Sequence, residues 1–257
     1  MTKLLCVGAT GSIGRHVVDE ALRQGYAVRA LVRDPDKAAE WPAEVDVVAG
    51  NLTQPASLSR AATGVDAVIF VHGTYGGDQQ AAESVDYGGV RNVLVALGQQ
   101  KVRIALMTAI GVTDRRGVHD WKRRGERLVR ASGLPYTIVR PGWFDYNASD
   151  QHQLVLLQGD TRQAGDPSDG VVARRQIAEV LVRSLSSHEA LCKTFELISA
   201  RGPSPQDFDA LFAPLDADRP GALDAVRDMA NMPLADEPQR VRDDLVAMRM
   251  QRSPVGV

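Results

Sequence analysis

Three features of the sequence predict an α/β protein built on a doubly wound parallel sheet, with a smaller region added at its C-terminal end. Short apolar runs alternate with helix-period segments from residue 3 to about residue 140. The first run, Lys3 to Val7, passes straight into Gly8-Ala9-Thr10-Gly11-Ser12-Ile13-Gly14 and then into a helical pattern with Val17, Val18, Ala21 and Leu22 on one face. The run at 67–71 is unbroken Ala-Val-Ile-Phe-Val, which suits a strand covered on both faces.

The elements follow in order. Gly25 ends the first helix, and 26–32 is the second strand. A short helix at 36–40 leads to a third strand at 45–49, and the fourth lies at 67–71. A long helix spans 79–97, a fifth strand 103–107, and another helix 121–131, which stops at Ser132-Gly133. Pro135 introduces a sixth strand at 136–140, stopped by Pro141-Gly142. Beyond it the pattern predicts a strand at 154–157, a helix at 171–185, a last strand at 194–198, and two or three short helices after Arg201. No internal repeat or low-complexity tract interrupts this order.

Composition narrows the function classes. The 257 residues carry 30 Lys plus Arg against 32 Asp plus Glu, a net charge of -2, so no global field draws nucleic acid or an anionic membrane. No apolar run is long enough to span a bilayer, and the first strand starts so near Met1 that no signal peptide is expected. The two cysteines, Cys6 and Cys192, are expected as buried thiols in a reducing cytoplasm. The five histidines show no metal spacing, and no Gly-x-Ser-x-Gly elbow is present.

A strand, a glycine turn and a helix together form a phosphate cradle. Glycine serves where φ is positive, where backbone approaches a pyrophosphate, and where helix packs close on strand. The helix N-terminus then offers free N–H groups to the phosphates. The residue after the second strand is Arg33, 19 positions past Gly14, and no carboxylate stands at the strand end itself. An arginine there pairs with the 2′-phosphate of NADP, whereas an acid would accept from the 2′-hydroxyl of NAD. The other reading is a solvated Arg33, with Asp34 capping a short helix.

The Gly8-x-x-Gly11-x-x-Gly14 spacing, with Thr10 before the middle glycine, resembles the turn of the short-chain dehydrogenase/reductase superfamily, and GATGSIG resembles its extended and atypical, NmrA-like branches. The resemblance runs from about residue 3 to 200 and implies a single Rossmann domain over 1–257, with 143–257 forming the substrate side. It implies NADP rather than NAD, held by Gly8, Thr10, Gly11, Ser12, Ile13, Gly14 and Arg33. It also implies cofactor roles for Asn51 and Leu52 near adenine, His72 and Gly73 near its ribose, and Thr108, Pro141 and Trp143 near the nicotinamide. Asn51 stands where the family usually has aspartate. Trp143 is either a wall of the nicotinamide pocket or a core plug.

The Tyr-x-x-x-Lys pair of the superfamily's carbonyl reductases is missing, since none of the five lysines follows a tyrosine by four. Lys122 opens a Lys-x-x-Gly-Glu run like that of NmrA-like members, and Val118 occupies the tyrosine position. Three readings stay open. Lys122 binds the nicotinamide ribose in a reductase of quinones or flavins; the protein is a non-catalytic NADP(H) sensor or scaffold; or Lys122 is a surface residue paired with Glu126. His119 and Tyr146 are the alternative acids. The basic stretch Arg115, Arg116, Lys122, Arg123, Arg124, Arg127 and Arg130 is expected as a solvated helix face. The partner is a small-molecule substrate or a protein, with no nucleic acid, membrane or metal, and monomer and homodimer stay equally open.

Overall fold

Alternate side chains of the central strand point to opposite faces. Leu4 and Cys6 enter one core, while Leu5 and Val7 enter the other. The computed structural model describes residues 1–252. Its strands β1 (Lys3–Val7), β2 (Ala27–Val32), β3 (Asp46–Ala49), β4 (Ala67–Phe70), β5 (Arg103–Met107) and β6 (Tyr136–Pro141) are parallel. Two tiny strands, β7 (Trp143–Phe144) and β9 (Val171–Val172), pair separately, and β8 (Gln153–Leu157) and β10 (Lys193–Ala200) return to the main sheet. The eight-stranded order is β3-β2-β1-β4-β5-β6-β10-β8, parallel throughout except for β8.

Helices α1 (Gly14–Arg23), α2 (Ser59–Ala62), α3 (Gln79–Ala81), α4 (Gly88–Leu97), α5 (His119–Ala131), α6 (Arg174–Ser186), α7 (Phe208–Phe212) and α8 (Gln239–Arg252) cover the sheet. On one face α1 and α6 bring Val17, Val18, Ile177 and Leu181 onto Leu4 and Cys6. On the other, α4, α5 and α8 bring Val93, Leu128 and Leu245 onto Leu5 and Phe70. The strand order reverses between β1 and β4, so the crevice opens at their carboxyl ends. No described helix is long and apolar enough to cross a membrane.

Several elements differ from the sequence reading. Residues 35–38 form a 3₁₀ turn, not an α-helix, with the Asp34 carboxylate capping Asp36 N–H. The helix predicted at 171–185 begins only at Arg174, because Val171 and Val172 pair with Trp143 and Phe144. Pro141 ends β6 from within the strand. The predicted long helix at 79–97 is broken by a π-helical turn at Ala82–Tyr87. After Arg201 the last described element is the 14-residue α8, longer than the short helices expected.

The largest correction concerns the basic stretch. Arg115 and Arg116 are exposed, but Arg123, Arg124, Arg127 and Arg130 are buried under residues 218–237. Arg127 pairs with Asp224 at 2.7 Å, Arg124 with Glu237 at 2.7 Å and Arg130 with Asp218 at 3.2 Å. Arg123 reaches Asp224 at 3.1 Å and the Asn231 amide oxygen at 2.5 Å. Buried guanidinium groups need such partners, because an unpaired buried charge is strongly destabilising. This face of α5 meets carboxylates, not water.

Candidate active site at the crevice

The glycine turn is shaped by close contacts. Gly8 takes φ +94°, and a Cβ there would stand 2.7 Å from the backbone nitrogen of His72. β1 and β4 therefore approach at the mouth of the crevice as only glycine allows. A Cβ on Gly14 would fall 2.1 Å from the Gly8 carbonyl oxygen. Gly11 is the mild case: its φ is not left-handed, and its Cβ would stand 3.1 Å from that oxygen. Ile13 is buried at the start of α1, which has no side-chain cap and no acid in its first turn. Ser12 is exposed and Thr10 half-buried. Open donors at a helix start beside a cradle with no side-chain bulk fit a dinucleotide's diphosphate.

At the end of β2, Arg33 is exposed, and its side chain has no hydrogen-bond or ion-pair partner among the described residues. Asp34 is spent on its capping bond. Beyond β3, the Asn51 side-chain oxygen accepts from Thr53 N–H at 3.0 Å and from the Thr53 hydroxyl at 2.9 Å. Only its amide N–H groups are left to offer a ligand. Leu52 packs on the core, and its carbonyl accepts from the Asn92 amide at 2.7 Å.

The inner end of the crevice holds an ion pair. Lys122 Nζ, on α5, stands 3.0 Å from Asp86 Oδ2, on the π-helical turn. Asp86 also accepts from Thr74 N–H at 2.8 Å and from the Thr74 hydroxyl at 2.9 Å. A Cβ on Gly73 would lie 3.3 Å from Lys122 Nζ, so the lysine lies against the loop after β4. Lys122 is thus not paired with Glu126. A small cavity beside it is lined by His72, Asp86, Val90, Met107, Thr108 and Lys122 among others. His72 Nε2–H donates to the Val85 carbonyl at 3.1 Å, while its Nδ1 is buried with no partner among the described residues. Burial pushes the ring down to about 4, aided by the Lys122 charge and opposed by Asp86. The imidazole is therefore neutral, with a bare Nδ1.

Thr108 is buried, and its hydroxyl donates to Glu126 Oε1 at 2.7 Å. Glu126 also meets Arg140 Nη2 at 2.7 Å, and Arg140 continues to Asp228 at 2.7 Å and Glu196 at 3.4 Å. Burial alone would raise Glu126, but the Arg140 guanidinium outweighs it and holds the carboxyl below its ordinary value. Past Pro141, Trp143 is 37% exposed and meets Tyr146 edge-on at 6.3 Å, so it is no core plug. His119 Nδ1 lies 3.2 Å from the Gly111 carbonyl, and Val118 is half-buried.

Sequence reasoning missed Asp86, Thr74, Arg174 and Asp145. For Asp86 a signal existed. Ala82, Asp86 and Val90 recur every fourth residue on the inward stripe, and an acid in such a stripe announces a buried partner. Among the described residues, no group of His, Cys, Asp and Glu is arranged to hold a metal.

A family model described as NAD(P)H-binding matches residues 8–188. The (4-alkanoyl-5-oxo-2,5-dihydrofuran-3-yl)methyl phosphate reductase of Streptomyces griseus is 32% identical over 232 residues, covering 87% of this chain and 79% of that protein. The photosystem II assembly factor Ycf39 of Cyanophora paradoxa is 30% identical over 212 residues, covering 79% of this chain. The chain spans 65% of the length of that factor, less than two thirds. A putative NAD-dependent epimerase/dehydratase from Bacillus halodurans shares the fold, with a TM-score of 0.67, 22% identity, and coverage of 83% of this chain and 98% of that one.

Proposed function

The chain belongs to the NAD(P)H-binding family, as an atypical, NmrA-like member of the short-chain dehydrogenase/reductases, and we propose that it is an NADPH-dependent reductase of planar acceptors such as quinones or flavins. The observation that carries this reading is the Lys122–Asp86 pair at the inner end of a crevice whose outer end is the glycine cradle. When bound, the reduced nicotinamide supplies a hydride. The turn from Gly8 to Gly14 holds the diphosphate, Arg33 the 2′-phosphate, and the Asn51 amide the adenine.

Lys122, fixed by Asp86, holds the nicotinamide ribose. A fixed ammonium loses little freedom on binding and so places the ring better than a mobile one. Val118 offers no proton at the tyrosine position, and Thr108 is bound to Glu126. An acceptor whose reduced form takes its proton from water needs neither of these, nor the alternative acids His119 and Tyr146. Trp143 and Tyr146, exposed beside the end of β6 and set edge-on to each other, offer aromatic faces for such a ring to stack on.

The engagement of Thr108 favours a second reading, a protein that binds NADP(H) without turning it over. One experiment separates the two: NADPH oxidation followed with a quinone, a flavin and a simple ketone. Turnover of the first two and not the third supports the reductase. Binding of NADPH without oxidation by any acceptor overturns it in favour of a sensor, and efficient ketone reduction overturns the role given to Val118.

A further inference from the structure

The segment after β6 brings a cation back to the glycine turn. β7 and β9 pair Trp143 with Val171 and Phe144 with Val172, which sets Asp145 beside the first turn of α6. Asp145 takes φ +57°, a left-handed conformation that aspartate tolerates better than most residues, and its N–H donates to the Val172 carbonyl at 3.0 Å. Its carboxylate accepts from Arg174 N–H at 2.9 Å and forms an ion pair with Arg174 Nη1. Arg174 Nε then donates to the Ser12 hydroxyl oxygen at 3.1 Å, and the guanidinium lies over the Phe144 ring at 5.3 Å.

Ser12 belongs to the cradle, and Arg174 is 162 residues away in sequence. Asp145 holds Nη1 of the guanidinium and Ser12 holds Nε. Nη2 has no partner among the described residues, and the Arg174 side chain keeps 30% of its surface exposed. Because Ser12 accepts from Nε, its own O–H is free to donate outward. A free guanidinium N–H and a polarised hydroxyl side by side suit adjacent phosphate oxygens.

We infer that Arg174 is the clamp for the dinucleotide's diphosphate, closing the cradle from the second half of the chain, and that Asp145 positions it. The inference rests on the NADP(H) reading. The α1 N-terminus contributes only a fractional charge. Arg174 adds a whole one, and Asp145 balances it while the crevice is open. The same ribbon carries Trp143, so the clamp also ties the diphosphate end of the crevice to its aromatic wall.

The test is calorimetric titration of the full chain and of Arg174→Ala, Arg174→Lys and Asp145→Asn. The probes are NADPH, ADP-ribose, which keeps the diphosphate, and adenosine 2′-monophosphate, which lacks it. We expect Arg174→Ala to weaken NADPH and ADP-ribose by a similar factor, about 10- to 100-fold, as for loss of a charge-assisted hydrogen bond. Adenosine 2′-monophosphate should bind unchanged, Arg174→Lys should fall between, and Asp145→Asn should cost a few-fold. If Arg174→Ala does not fold, Arg174→Lys gives the same comparison. Undiminished ADP-ribose binding by a folded variant overturns the clamp and leaves the NADP(H) reading standing. An equal loss for adenosine 2′-monophosphate moves Arg174 to the adenosine end, which also overturns it. Failure of the unsubstituted protein to bind NADPH overturns the cofactor reading itself, and the clamp with it.

Discussion

Lys122 Nζ and Asp86 Oδ2 stand 3.0 Å apart, joining the helix that follows β5 to the π-helical turn that follows β4. The two partners are unequally placed, since the Asp86 side chain is 2% exposed and that of Lys122 17%. Lys122→Met leaves a carboxylate buried with only Thr74 to compensate, and should cost about 2–4 kcal/mol in urea denaturation, toward the lower end for a broken buried pair. Asp86→Asn keeps an acceptor for Thr74 and leaves a lysine that can reach water, so it should cost clearly less. Equal costs would show that the pair is not what stabilises this end of the crevice.

Arg33 should decide between the two nicotinamide cofactors. Arg33→Ala is expected to weaken NADPH binding by about 1.5–3 kcal/mol, the range for a hydrogen bond to a charged group, and to leave NADH binding almost unchanged. Calorimetry on the unsubstituted chain supplies the reference. Equal affinities for NADPH and NADH there would end the argument for the 2′-phosphate.

The three glycines of the turn should respond unequally. Gly14→Ala drives a methyl group to 2.1 Å from a carbonyl oxygen, and Gly8→Ala combines a backbone clash with φ +94°. Each should destabilise the fold by about 1–3 kcal/mol or more. Gly11→Ala should leave thermal stability nearly unchanged, whereas Gly11→Val should lose NADPH binding without losing the fold, because its bulk stands in the cradle. A Gly11→Val variant that is folded by circular dichroism and binds NADPH normally would place the phosphates elsewhere.

Two buried groups should tilt stability against pH in opposite senses. Burial pushes Glu196 up to about 7, with Arg140 opposing and Asp160 adding to the rise. An acid whose folded value is raised contributes stability that is complete below its ordinary 4.5 and lost as pH climbs through 7. Glu196→Gln should therefore gain on the native chain between pH 5 and pH 8, by at most about 3 kcal/mol. His72, lowered from 6.5 to about 4, behaves oppositely: its contribution is present above 6.5 and lost as pH falls through 4. His72→Gln should flatten that acid limb. Denaturation midpoints across this range check both, and a Glu196→Gln curve parallel to the native one would rule out titration of that carboxyl.

The first six strands and the glycine turn were legible because each is a local pattern. A strand buried on both faces is a continuous apolar run, and a turn with positive φ calls for glycine. β7 and β9 were not legible: two residues carry no period, and only their pairing across 28 positions makes them strands. The arginines of α5 misled for another reason. Their spacing marks a charged face, but spacing does not distinguish water from carboxylates almost a hundred residues later. Asp218, Asp224, Asp228 and Glu237 lie in a stretch without apolar periodicity, so nothing local marks them as the lining of an interior. The candidate site followed the same division: the glycine turn is a local pattern, Asp86 left only the trace of an acid on an inward stripe, and Thr74 and Arg174 were placed by the fold.

The charged seam between α5 and residues 218–237 has a consequence for how the protein comes into being. During synthesis, the segment bearing Lys122 leaves the ribosome long before Asp218, Asp224, Asp228 and Glu237 are made. Until then Arg123, Arg127 and Arg130 have no acids from that segment to enter the interior with, and α5 must stay wet on that side. A nascent chain ending at β10 has all its strands but leaves the arginines of α5 without these acids. The basic face of α5 is therefore closed last, by the arrival of the tail.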